Sequence, residues 1–175
     1  TSISFNVPFE AINQHAQEKP QDNILSGLSI LVVDDNSTLR KVIQRYAKSW
    51  GAKADTTFSG KEALALLRSQ QNLGTPYDII LIDQDMPIMD GFQLAKRIYE
   101  DPEINRDLIK IMLTGLGISN SHSSVRSSGI HQVITKPVTA RALNQVLSQH
   151  VRNSQQAIDL KDWSETCKCA LDFVK

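Results

Sequence analysis

The sequence predicts a doubly wound α/β fold, a five-stranded parallel sheet with helices on both faces. Three observations carry that expectation. Three of the strand-like runs are apolar stretches without in–out alternation, as strands covered on both faces require. They are interleaved with segments of helical spacing, the pattern of βα units. The strand ends also carry polar, chemically useful residues, and in such folds the ligand site lies outside the carboxyl ends of the strands.

The elements follow in order. Ser29 to Val33 (SILVV) is the first strand. Ser37 to Trp50 has Leu39, Val42, Ile43, Tyr46 and Ala47 on one helical face, and Gly51 is its stop signal. Ala54 to Phe58 is a weaker strand, and Ser59 with Glu62 forms a capping-box pattern opening the helix of Leu64 and Leu67. NLGTPY is a turn before the strand Asp78 to Ile82. Gly91 to Tyr99 is helical and is broken at Asp101-Pro102. Ile109 to Leu113 is taken as another apolar strand, leading to Thr114. A polar segment then precedes the strand Gln132 to Thr135 and the pair Lys136-Pro137. Thr139 caps a last helix with Leu143, Val146, Leu147 and Val151 turned inward.

Bulk properties narrow the function classes. The 175 residues allow one ordinary domain with flanking segments. Nineteen basic residues balance nineteen acidic ones, so no cationic surplus points to nucleic acid. No apolar run reaches the roughly 20 residues of a membrane span, so direct membrane contact is not expected. Cys167 and Cys169 are too close for an ordinary disulfide and lack the further ligands of a zinc site. A reducing, cytoplasmic setting is the natural expectation. The first residue is not methionine, so the chain reads as a fragment or a processed product.

The strand ends carry the chemistry. The first strand ends in Asp34 and Asp35, the third in Asp83, the fourth in Thr114 and the fifth in Lys136. Singly, each is most simply a helix cap or a turn former. Together on one edge they are hard to explain as caps. Crowded carboxylates repel unless a cation neutralises them, and an all-oxygen donor set suits Mg²⁺. A carboxylate can also be a nucleophile that forms an aspartyl phosphate. Asp83, on the central strand, is the candidate acceptor. Lys136 supplies a point charge to a phosphoryl oxygen, and the Thr114 hydroxyl supplies a donor.

LVVDDN, LIDQDMPIMDG, Thr114 and TKP, in that order, resemble the receiver domain of two-component signalling, the flavodoxin-like fold of the chemotaxis response regulators. The resemblance covers about residues 28–152. It implies that Asp83 accepts a phosphoryl group from a phosphohistidine, on a kinase dimerisation domain or a histidine phosphotransfer domain. It implies further that Asp34, Asp35, Asp83 and the backbone carbonyl of Asp85 hold Mg²⁺, that Thr114 and Lys136 bind the phosphoryl oxygens, and that Lys136-Pro137 is cis. Met86-Pro87 and Gly91 shape the loop after the acceptor. Three positions depart from the pattern. Val133 replaces the usual aromatic switch residue, Gly115 stands where alanine is common, and Asp85 places an acid near the path of attacking water.

The flanks suggest the parent. TSISFNVPF (residues 1–9) alternates like a half-buried strand and resembles the last strand of a histidine-kinase ATPase domain; an arbitrary N-terminal arm is the other reading. Residues 10–27 have linker composition. Residues 153–175 carry Leu160, Trp163, Cys167, Leu171 and Val174 at helical spacing, as an added helix or the start of another module. The whole then reads as the receiver of a hybrid sensor kinase, open to intramolecular contact with the kinase domains. Two alternatives stand beside it. One is a phosphorylation-independent interaction module, although such modules usually lack one of the key residues. The other is a phosphatase of the haloacid dehalogenase type, in which the acid pair comes last rather than first.

Overall fold

The computed structural model describes residues 24–115, 125 and 127–153. The elements run β1 (Ser29–Val33), α1 (Ser37–Ser49), β2 (Lys53–Thr57), α2 (Gly60–Asn72), β3 (Ile79–Asp83), α3 (Gly91–Glu100), β4 (Ile109–Thr114) and β5 (Gln132–Thr135). A further helix, α4, occupies residues 140–153. All five strands are parallel, in the order β2-β1-β3-β4-β5. The doubly wound fold is therefore as expected. The order reverses between β1 and β3, and the crevice of such a sheet opens at that switch point.

Period-two alternation sends each strand's side chains to two separate cores. Ile30, Val32, Ile79, Leu81, Ile111 and Leu113 meet Ile43 and Ala47 of α1 and Leu143 and Leu147 of α4. Leu31, Val33, Ile80, Ile82 and Met112 meet Ala63 and Leu67 of α2 and Leu94 and Ile98 of α3. Leu25, inside the segment with linker composition, is 2% exposed and packs in the first core, so the packed body starts before residue 28.

Element ends show where local chemistry overrode the sequence pattern. The β2 strand begins one residue early and β3 ends one residue late, which takes Asp83 into the sheet itself. Ser59 caps α2 by accepting from Glu62 N–H at 3.3 Å. The reciprocal half of the capping box is relayed: Thr57 Oγ1 donates to the Glu62 carboxylate and accepts from Ser59 N–H. Lys110 interrupts the run expected to be apolar, and it is only 4% exposed. The strand expected at 1–9, most of the linker, most of the polar segment between Thr114 and Gly129, and the helical spacing after residue 153 lie outside the described residues.

Candidate functional site

Where β1 ends, the chain turns at once into α1, and the turn is built from the acids themselves. Asp34 Oδ1 accepts from Asn36 N–H at 2.7 Å, and the Asn36 side chain caps α1 by accepting from the N–H groups of Thr38 and Leu39. Arg40, one turn into α1, donates to the Asp34 carbonyl oxygen. Asp34 is fully buried, whereas Asp35 projects into solvent.

Asp83 reaches the same point from the central strand and is 3% exposed. Two features hold the chain that follows. Gln84 N–H donates to the Leu113 carbonyl at 2.9 Å, and Gly91 N–H donates to the Gln84 carbonyl at 2.9 Å. The start of α3 thus lies directly against the end of β3. A Cβ at residue 91 would come within 2.4 Å of the Asp83 carbonyl oxygen and 2.9 Å of Gln84 Cα, so glycine is required here by close approach.

Lys136 joins the two buried acids. Its Nζ lies 3.1 Å from Asp34 Oδ2 and 2.9 Å from Asp83 Oδ1. Burial acts to lower its pKa, but hydrogen bonds to Asp83 and Asp34 outweigh that and hold the ammonium above its usual range. Burial, reinforced by the Asp83 charge, raises the Asp34 carboxyl despite the Asn36 N–H and Lys136. One lysine therefore does not fully compensate the acids. Carboxylate oxygens of Asp34, Asp35 and Asp83 lie within 4.8 Å of one another. An oxygen-only donor set with surplus negative charge fits a hard divalent cation.

The Thr114 hydroxyl stands at the end of β4, 1% exposed, and donates to Gln84 Oε1. Asp85 is exposed, and its N–H lies 3.4 Å from Asp83 Oδ1. The Lys136-Pro137 bond is cis, as the resemblance implied. Val133 lies half-buried against the α2/α3 core. The structure brings Asp34, Asp35, Asp83 and Lys136 into one cluster, and sets Thr114 on the neighbouring strand with its hydroxyl on Gln84. Gln84, Arg40 and Asn36 were missed. An N-cap rule could have found Asn36, and strand register could have found Gln84.

A parallel 2-1-3-4-5 sheet with a carboxylate trio, a threonine and a lysine at its carboxyl edge defines a receiver-type domain. The chain belongs to the response regulator receiver domain family, whose model matches residues 30–148. It is 28% identical over 140 residues to hybrid signal transduction histidine kinase L of Dictyostelium discoideum, covering 79% of this chain and 8% of that protein. Against the sensor protein EvgS of Escherichia coli K12 it is 28% identical over 170 residues, covering 92% of this chain and 14% of that protein. The chain thus spans a small fraction of the sensor kinases it matches. The N-terminal domain of a response regulator receiver protein from Methanoculleus marisnigri superposes with a TM-score of 0.56 at 33% identity, over 71% of this chain and 96% of that one. Chemotaxis response regulator CheY4 of Vibrio cholerae shares the fold, with a TM-score of 0.63 at 24% identity over 70% of this chain and 98% of that one. Among the described residues no helix is long and apolar enough to cross a membrane.

Proposed function

We propose that this receiver domain takes a phosphoryl group onto Asp83 from a phosphohistidine, in a Mg²⁺-dependent phosphorelay. The observation that carries this reading is the Lys136 ammonium set between two buried carboxylates, with the Thr114 hydroxyl on the adjacent strand. In the transfer an Asp83 carboxylate oxygen attacks phosphorus. An O–P bond forms, the P–N bond breaks, and the donor ring, protonated on its other nitrogen, leaves as neutral imidazole. Lys136, ion-paired with Asp83, offers its charge to a phosphoryl oxygen. Thr114 donates to a second oxygen once it releases Gln84. Asp34, Asp35 and Asp83, with the Asp85 carbonyl, are the residues that would hold Mg²⁺, which neutralises charge on the transferring group when bound.

We place the domain in a hybrid sensor histidine kinase. The EvgS match covers 92% of the chain, so the part it leaves out is shorter than either flank of the family match at 30–148. The similarity therefore enters both flanks, which agrees with a kinase segment before the receiver and a further segment after it. The natural donor is then a kinase dimerisation domain or a histidine phosphotransfer domain, in the cytoplasm.

Intact-mass measurement after incubation with acetyl phosphate tests the reading. One added phosphoryl group is expected with Mg²⁺, and none with chelator or in Asp83→Asn. An addition that persists in Asp83→Asn contradicts the assignment, and no addition under any condition favours a phosphorylation-independent binding module.

A further inference from the structure

The opposite end of β4 holds a second polar site that the phosphoacceptor crevice does not use. Alternation puts Lys110 on the same face of β4 as Met112 and Thr114, under α3. Lys110 lies four residues from Thr114, about 13 Å along the strand. It lines a cavity of about 330 Å³ together with Ile98, Tyr99, Ile104, Arg106 and His131. That volume is at the small end of ligand pockets.

Among the described residues the charge in this cavity is uncompensated. Lys110 is 4% exposed, yet its Nζ has only a long 3.4 Å contact to the Leu108 carbonyl, and among the described residues no carboxylate pairs with it. Arg106 at the same cavity has no acidic partner among those residues either. An unpaired ammonium is costly to bury, and burial lowers its pKa accordingly. His131 adds a donor rather than an anion. Burial, then the Lys110 and His150 charges, hold its ring below the usual range, and Nδ1 accepts from Lys110 N–H at 3.1 Å. The neutral ring therefore carries its proton on Nε2. Tyr99, 65% exposed, lies close against Gly129 and forms an aromatic rim.

We propose that this cavity binds a small organic carboxylate, its two oxygens meeting Lys110 and Arg106 and its body lying against Ile98, Ile104 and Tyr99. A monoanion matches the single buried cation, and the apolar walls suit an organic body rather than bare phosphate. The site is independent of phosphoryl transfer to Asp83.

The test is a titration of the ¹⁵N-labelled 175-residue chain at constant ionic strength, followed by backbone amide shifts, with benzoate, its neutral isostere benzamide, and inorganic phosphate as probes. Benzoate is expected to give saturable shifts at Lys110, Gly129 and His131, and benzamide none. Lys110→Met should weaken benzoate at least about tenfold, the loss of a charged hydrogen bond. That variant should melt no lower than wild type, because it removes an unpaired buried charge. Arg106→Gln, at an exposed position, gives a second variant that leaves the core untouched and should also weaken benzoate. Failure of benzoate to saturate overturns the proposal. So does saturation by phosphate alone, or benzoate binding unchanged in both variants.

Discussion

Two buried carboxylates share one lysine in this crevice, and the consequences can be tested side chain by side chain. Lys136→Ala leaves Asp34 and Asp83 facing each other without a cation. In chelator the variant should lose roughly 1–3 kcal/mol, nearer the low end because the lysine side chain is 29% exposed. Urea unfolding measures that loss, and intact mass should still show slow phosphoryl addition, since the acceptor remains. Gln84→Ala tests the contact that sequence reading missed. Freed from Gln84, the Thr114 hydroxyl no longer has a hydrogen bond to break before it meets a phosphoryl oxygen. The phosphorylated fraction at fixed acetyl phosphate should rise about two- to tenfold, the value of one net hydrogen bond. No change would remove Gln84 from the switch. Asp34, Asp83, Thr114 and Lys136 were legible because each ends a strand at a known edge of the fold. Gln84 was not, because a polar residue after a strand looks like loop. Only the register Asp83 opposite Leu113 places residue 84 across from Thr114.

At the level of elements, the join between β3 and α3 is the tightest point near the site. Gly91→Ala should cost roughly 1–3 kcal/mol, because the new methyl meets backbone that cannot yield without moving Asp83. Denaturant unfolding gives the loss, and a neutral result would contradict the close approach. A second clip joins α2 to the end of α3: Arg68 Nη2 lies 2.6 Å from Asp101 Oδ2. Burial alone would raise Asp101, but the Glu103 N–H and the Arg68 guanidinium outweigh it and hold the carboxyl below its ordinary 3.8. Its folded pKa is depressed, so the contribution is present above 3.8 and is lost as pH falls below it. With Arg68 half-exposed the clip is worth only about 0.5–1 kcal/mol. Arg68→Ala should therefore cost that much at neutral pH and close to nothing near pH 2, which chemical denaturation at the two pH values would reveal. Strand and helix identities were legible from periodicity. Their ends shifted by a residue because caps and ladder hydrogen bonds, invisible in a hydrophobic pattern, decide where an element stops. Lys110 shows the opposite error, a charge passed over inside a run that otherwise looked apolar.

For the whole molecule, one sheet edge gathers residues from positions 34 to 136 of the chain, and this follows from topology. Alternating apolar strands and helices made the doubly wound fold legible, and the fold then placed every strand end on one side. The wiring beyond the domain was less legible, because flanks of linker composition and marginal helical spacing leave more than one packing open. On the proposed function, Asp83 is the acceptor at this edge. Borohydride trapping after acetyl phosphate treatment tests it most directly, because reduction of an acyl phosphate converts that one aspartate to homoserine. Homoserine is expected at position 83 in the tandem mass spectrum with Mg²⁺ present, and not with chelator. Homoserine at Asp34, Asp35 or Asp85 instead, or at no aspartate, would contradict it.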